Sequence, residues 1–122
     1  MPYFRVKDLV PTEQLPGIER RAVWLKGVML TFFSFAPGAV VPEHAHPNEQ
    51  ITLVTKGAIA FTVGRETRVL RAGEGVSIPP GIRHSVTVLD ESTEAIDGWS
   101  PPREDYKTTA DQRASSGPPP AA

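Results

Sequence analysis

Cysteine is absent from this 122-residue chain. That excludes disulfides, thiolate zinc ribbons and thiol catalysis, and it leaves nitrogen and oxygen atoms to ligate any metal. Histidine is scarce at three residues, so where those three fall carries information. Neither sign of charge dominates: 13 Lys and Arg stand against 14 Asp and Glu, a formal charge of −1. Without a basic field, nucleic acid is not an expected partner. Long apolar runs are missing as well. The longest uncharged stretch, residues 27–42, has 16 residues and contains Pro37 and Gly38, short of the roughly 20 apolar residues that span a bilayer. Arg5, Lys7 and Asp8 interrupt the amino end before any apolar run, so no secretory signal is read there and no membrane partner is expected. The expectation is a soluble, cytoplasmic protein.

What the chain does have is turn residues. The 10 Gly and 13 Pro are spread along its length, and a chain of this size buries about two thirds of its unfolded surface in one core. Apolar β-formers recur in short runs at 22–26, 28–35, 50–55, 58–63, 67–70, 76–78, 85–89 and 94–96. Pro37-Gly38, Lys56-Gly57, Gly64-Arg65, Ala72-Gly73 and Pro80-Gly81 separate them at intervals too short for helices. Ile59, Phe61 and Val63 alternate with Ala58, Ala60 and Thr62, a period of two that belongs to a strand. The expected fold is all-β, a barrel or sandwich forming a single domain over residues 1–108. A short helical turn is expected within 103–113, and the proline-rich end, 109–122, is expected to lack order.

All three histidines fall where a metal site would use them. His44 and His46 are two apart, so on one extended strand both imidazoles project from the same face. His84 follows Pro79-Pro80-Gly81 and opens another apolar run. Around them the spacing is regular: Gly38, five residues, His44-Ala45-His46, three residues, Gln50, six residues, Gly57; then Gly73, five residues, Pro79-Pro80-Gly81, two residues, His84, three residues, Val88. This pattern resembles the two motifs of the cupins, and with the flanking strands it covers about residues 25 to 99. The resemblance implies a double-stranded β-helix, the jelly-roll barrel, with a short irregular C-terminal segment. It also implies one divalent transition metal ion in the barrel mouth, held by His44, His46, Gln50 and His84. Zinc, nickel, iron, cobalt and manganese all suit such ligands.

Two positions depart from the motifs. Val88 stands where the family has an asparagine that is not a ligand. Gln50 stands where it has a glutamate. An amide there removes one negative charge from the ligand set and takes away a base, which favours Lewis-acid chemistry over dioxygen chemistry. Glu49 is the alternative ligand at this point of the chain.

Beyond the motifs, Asp97-x-Trp99-x-x-x-Arg103 resembles the terminal segment of one cupin branch, the pectin-degradation cupins that linearise 4,5-unsaturated hexuronates; there a phenylalanine takes the place of Trp99. The resemblance implies a metal-dependent isomerase acting on a small acidic carbohydrate or keto acid. Asp97 is then the catalytic proton carrier. Arg103 binds the substrate carboxylate and assists catalysis, and Trp99 forms an aromatic wall of the substrate pocket. The alternatives are a metal-dependent cupin dioxygenase and a non-catalytic cupin that binds a small anion. Small cupins pair through an apolar sheet, which implies a homodimer. Trp24, Phe32, Phe33 and Phe35, too many aromatics for one small core, agree with that.

Overall fold

Alternating burial along short strands dictates the architecture. In β3 (Met29–Phe35), Met29, Thr31, Phe33 and Phe35 are buried, while Leu30, Phe32 and Ser34 face outward. β10 (Thr93–Ser100) buries Thr93, Ala95, Asp97 and Trp99. Strands with one apolar face must stack that face on another sheet. They do so here in a computed structural model that describes residues 2–107. The proline-rich end expected to lack order, 109–122, lies outside the described residues, as does most of the expected helical turn. The part of that turn within them is one 3₁₀ turn, Glu104–Tyr106.

Two antiparallel sheets face each other. The larger runs β1 (Thr12–Leu15), β2 (Ile18–Trp24), β3, β10, β5 (Glu49–Lys56), β8 (Gly75–Ile78), and the smaller runs β4 (Val40–His44), β9 (His84–Val88), β6 (Ala58–Val63), β7 (Glu66–Arg71). This is the expected all-β jelly roll. The turn signals locate most of its strands, but β1 is not among the expected runs, and β4 is expected only as the extended segment that carries His44. β1 is short and polar, and β4 contains Pro42 and Glu43, so neither stands out as a β-forming run. A 3₁₀ turn at Val6–Asp8 precedes them. No helix among the described residues is long and apolar enough to cross a membrane.

The barrel interior is graded along its axis. At one end Ile18, Phe35, Val54, Ile59, Val88 and Ala95 pack as an apolar floor. Toward the other end the same strand faces turn polar: β5 goes from Val54 through Thr52 to Gln50, β10 from Ala95 to Asp97, and β9 from Val88 through Val86 to His84. Register fixes the lateral neighbours. Asp97 lies between Thr31 on β3 and Thr52 on β5, and Trp99 lies between Met29 and Gln50.

Val88 occupies the motif's asparagine position as a core residue, paired with Ile59 and buried. Gly57 links β5 to β6 at a φ of +86°, a conformation side chains resist. A methyl group there would also lie 2.6 Å from the Ser92 carbonyl oxygen and collide with Thr93. Gly57→Ala is therefore expected to cost about 2–3 kcal/mol of stability, measured by urea denaturation. Gly64→Ala, at a φ of +60° with open space around it, should cost less.

Candidate metal centre

A bulge decides which residue of β4 points inward. Val41 pairs with Val86 and His44 with His84, so three steps on β4 oppose two on β9. Strict alternation from Val41 would turn Glu43 into the barrel and His44 out. The one extra residue reverses that phase and brings His44 against His84, with ring centroids 4.2 Å apart. His46 is not on the strand. β4 ends at His44, and His46 reaches the mouth from the loop 45–48, so the expected placement of both imidazoles on one strand is corrected. The Asn48 amide ties this loop to the Pro101 carbonyl at 2.6 Å, and the His46 carbonyl accepts from the Gly81 N–H at 2.9 Å.

Each imidazole is oriented in the same way. Nδ1 of His44 lies 2.9 Å from the Pro42 carbonyl, that of His46 3.1 Å from the Asn48 carbonyl, and that of His84 2.8 Å from the Ile82 carbonyl. A ring that donates from Nδ1 presents Nε2 as a lone-pair ligand. One ligand atom from each of the three rings lies within 4.8 Å of the others. His84 Nε2 is buried with no hydrogen-bond partner among the described residues, an orphaned acceptor that a cation would satisfy.

Gln50 completes the set. Its Nε2 donates to the Thr52 hydroxyl at 2.9 Å, which turns Oε1 to within 3.0 Å of His46 Nε2. Two atoms each about 2.1 Å from one ion, at right angles, are separated by about 3 Å. Glu49, the alternative ligand, is the outward residue of the same strand and is exposed. The residues present thus fit a divalent ion, with donors that suit a late transition metal.

Asp97 is buried beside this cluster. Its Oδ2 lies 3.5 Å from Gln50 Nε2, and Oδ1 has no partner. Burial raises its pKa to about 7, against the smaller opposing effects of a Thr52 hydrogen bond and the Arg103 charge. Trp99 is buried with its ring 5.1 Å from His46, and Nε1 donates to the Thr31 hydroxyl at 2.9 Å.

Arg103 is largely buried, 4.1 Å from the Tyr106 ring centre and 5.1 Å from that of Trp99. Asp105 already holds one edge of its fork, accepting from Nε at 3.1 Å and Nη2 at 2.6 Å. Nη1 is buried and has no partner among the described residues, and with the second N–H of Nη2 it leaves the end of the fork open to a ligand. The structure thus gathers His44, Gln50, His84, Asp97 and Trp99 around one small cavity, with His46 against His84, Gln50 and Trp99 and with Arg103 in the outer groove.

Four other charged or aromatic residues lie outside this cavity. Arg83 pairs with Glu43 at 3.1 Å on the exposed surface, Lys107 with Glu104 at 2.8 Å, Tyr3 is exposed, and Lys26 is in the β2–β3 turn. Sequence reasoning passed over Gln14, Arg20 and Thr52. Their inward phase depends on strand registers that no motif marks.

Burial lowers the pKa of His46, and that of His84 to about 4, from 6.5 in an unfolded chain. The metal-free unfolded state therefore takes up protons that the folded state refuses. The contribution of these two histidines is complete above about pH 6.5 and is lost as pH falls toward 4, while Asp97, whose pKa burial raises, contributes in the opposite direction over the same window. In chelator-treated protein the melting temperature of His84→Leu relative to the parent should therefore rise as pH falls from about 6.5 to 4. At neutral pH, added zinc or nickel should raise the melting temperature of the parent protein and not that of His84→Leu.

Residues 31–96 match the Cupin domain family. The pectin degradation protein KdgF of Dickeya dadantii (strain 3937) is 33% identical over 107 residues, covering 85% of this chain and 96% of that protein. Among solved structures, KdgF from Halomonas sp. superposes with a TM-score of 0.83 at 28% identity, covering 88% of this chain and 99% of the other. An RmlC-like cupin from Shewanella frigidimarina NCIMB 400 gives 0.82 at 26% identity, covering 88% and 97%. Motif spacing, barrel topology and likeness to known proteins agree, and the chain belongs to the cupin family.

Proposed function

We propose that the protein linearises a 4,5-unsaturated uronate to its keto form, a metal-dependent isomerisation with no net redox change. The observation that carries this reading is Asp97, a carboxyl group buried in the barrel next to Gln50, lining one cavity with His44 and His84, with one oxygen free of partners. Likeness to a pectin degradation protein over nearly its whole length supports the substrate class.

The conversion removes the proton of the anomeric hydroxyl, breaks the bond between C1 and the ring oxygen, and delivers a proton to C4. An aldehyde and a ketone replace the hemiacetal and the enol ether. Asp97 Oδ1 is the atom assigned to that proton. With a pKa raised by burial to about 7, the carboxyl group can both accept and release a proton near neutrality. A divalent ion held by His44, His46, Gln50 and His84 would supply an electrophile for negative charge developing on substrate oxygen. Gln50 brings no charge of its own to that site. Arg103 meets the substrate carboxylate through Nη1, while Asp105 and the rings of Trp99 and Tyr106 hold the guanidinium in place. Trp99 walls the cavity and excludes water from the carboxyl group.

The same reading includes a homodimer. Leu30, Ile51 and Leu53 are exposed on the outer face of the larger sheet, next to Gly98, which leaves that face flat. Pairing two such faces would cover them.

Arg103→Ala should raise KM about tenfold or more, since a hydrogen bond to a charged group contributes about 1.5–3 kcal/mol, and should change kcat little. Asp97→Asn should lower kcat by about 10²–10⁴ with little change in KM. Steady-state kinetics on unsaturated galacturonate, run without oxygen and with zinc as the only metal, provide the measurement. Wild-type rates from both variants, or turnover confined to air and a redox-active ion, would end this reading.

A further inference from the structure

Four buried side-chain atoms among the described residues lack a hydrogen-bond partner: His84 Nε2, Asp97 Oδ1, Arg103 Nη1 and Arg20 Nε. The proposed function uses the first three. Arg20 is on β2, faces inward and is only 4% exposed, yet no carboxylate lies within salt-bridge distance of it among the described residues. Its guanidinium instead stacks 4.3 Å from the Tyr106 ring centre and donates from Nη1 to Gln14 Oε1 at 3.3 Å.

Gln14 and Tyr106 occupy a particular place. The inner cavity, which Asp97 and Gln50 line, has a volume of about 40 Å³, and the outer groove, which Arg103 lines, about 330 Å³. The inner space holds about two or three waters, too few for a sugar ring. A ligand that touches both Arg103 and Asp97 must therefore span the boundary between them. The residues shared by cavity and groove are Gln14, Val41, His44 and Tyr106. His44 is set aside for the ion and Val41 is apolar, so Gln14 and Tyr106 supply the remaining polar groups of this neck.

Arg20 sets their polarity. A guanidinium only donates, so Gln14 must turn Oε1 toward Arg20 and its NH₂ group away from it. Gln14 lies beside Tyr106 at this boundary and acts on the phenol against the larger effect of burial. No group among the described residues accepts the phenol proton, which leaves it to be donated to a ligand. Burial, the largest influence on Tyr106, raises its pKa and keeps it protonated.

We infer that Tyr106 is a substrate-binding residue whose hydroxyl donates a hydrogen bond to a uronate oxygen in the neck, and that Arg20 is a positioning residue holding it in that role through Gln14. The inference rests on the uronate reading of the site. It adds a contact in the middle of the substrate, between the carboxylate end at Arg103 and the reacting end at Asp97.

The test uses zinc-loaded protein and two probes: saturated galacturonate, which has no enol ether to react, for calorimetric binding, and unsaturated galacturonate for kinetics. Tyr106→Phe removes one oxygen and Arg20→Met replaces the buried charge with an apolar chain of similar length. Each should weaken binding and raise KM about tenfold, with kcat changed less. The double variant should be within about twofold of Tyr106→Phe alone, because Arg20 acts through the hydroxyl. Metal content should be unchanged, and the melting temperature of Arg20→Met equal or higher, since an unpaired buried charge opposes folding. A structural role for Arg20 predicts the reverse, lower melting with binding intact. Wild-type affinity and KM in Tyr106→Phe would overturn the inference and leave the proposed function standing. Tyr106-dependent binding of the saturated sugar without turnover of the unsaturated one would uphold the inference and overturn the function. Failure of the parent protein to bind either sugar would overturn both.

Discussion

A buried polar atom without a partner costs free energy, and this protein concentrates such atoms at one end of its barrel. The floor is ordinary apolar packing of Ile18, Phe35, Val54, Ile59 and Val88, which stabilises the two sheets against each other. That packing holds His84, Asp97, Arg103 and Arg20 in positions where water is largely excluded and no protein group completes their bonding. The unmet bonding is of mixed type: an imidazole lone pair, a carboxyl oxygen and guanidinium N–H groups. Together these match a cation, a transferable proton and an anionic ligand. A ligand carrying all three complements satisfies the mouth in a way no rearrangement of side chains within it does.

Rigidity follows from the backbone. The three imidazoles are braced by carbonyls two residues away in sequence, so their orientation depends on local chain geometry more than on distant side chains. Gln50 and Trp99 come from the paired strands β5 and β10, at adjacent register positions, and Asp97 lies one inward step further along β10. Sites mounted on paired strands keep their distances because each strand is held on both sides. The less rigid part is the segment after β10. There Arg103, Asp105 and Tyr106 are held by an ion pair and by stacking, and the Asn48–Pro101 hydrogen bond ties the start of this segment to the ligand loop.

The electrostatics of the mouth divide between its levels. At the inner level burial, and not charge pairing, dominates the lowered pKa of His84 and the raised pKa of Asp97. The outer level carries Arg103 against Asp105, with the unpaired Arg20 behind Tyr106. Glu43 and Asp105 line the outer groove with Arg103, so the positive charge there is local to the unpaired end of Arg103.

The order and spacing of residues were enough to determine the all-β class, most strand positions, the turns, and the grouping of His44, His46, Gln50 and His84. These features depend on local preference and on motif spacing, both of which are linear in the chain. Asp97, Trp99 and Arg103 were legible only by likeness to a family segment. Three things were decided by tertiary structure alone. The β4 bulge made His44 an inward residue and Glu43 an outward one, because it depends on how β4 is matched against β9, 40 residues away at His84. Pairing with Asp105 occupies the Nε–Nη2 edge of Arg103 and leaves the Nη1–Nη2 end for a ligand. The neck of Gln14 and Tyr106, backed by Arg20, joins a polar edge strand to a 3₁₀ turn near the other end of the described chain. No periodicity links such distant residues. Their meeting is a consequence of closing the sheets on one core, where register and burial, and not neighbourhood in sequence, choose which side chains share a space.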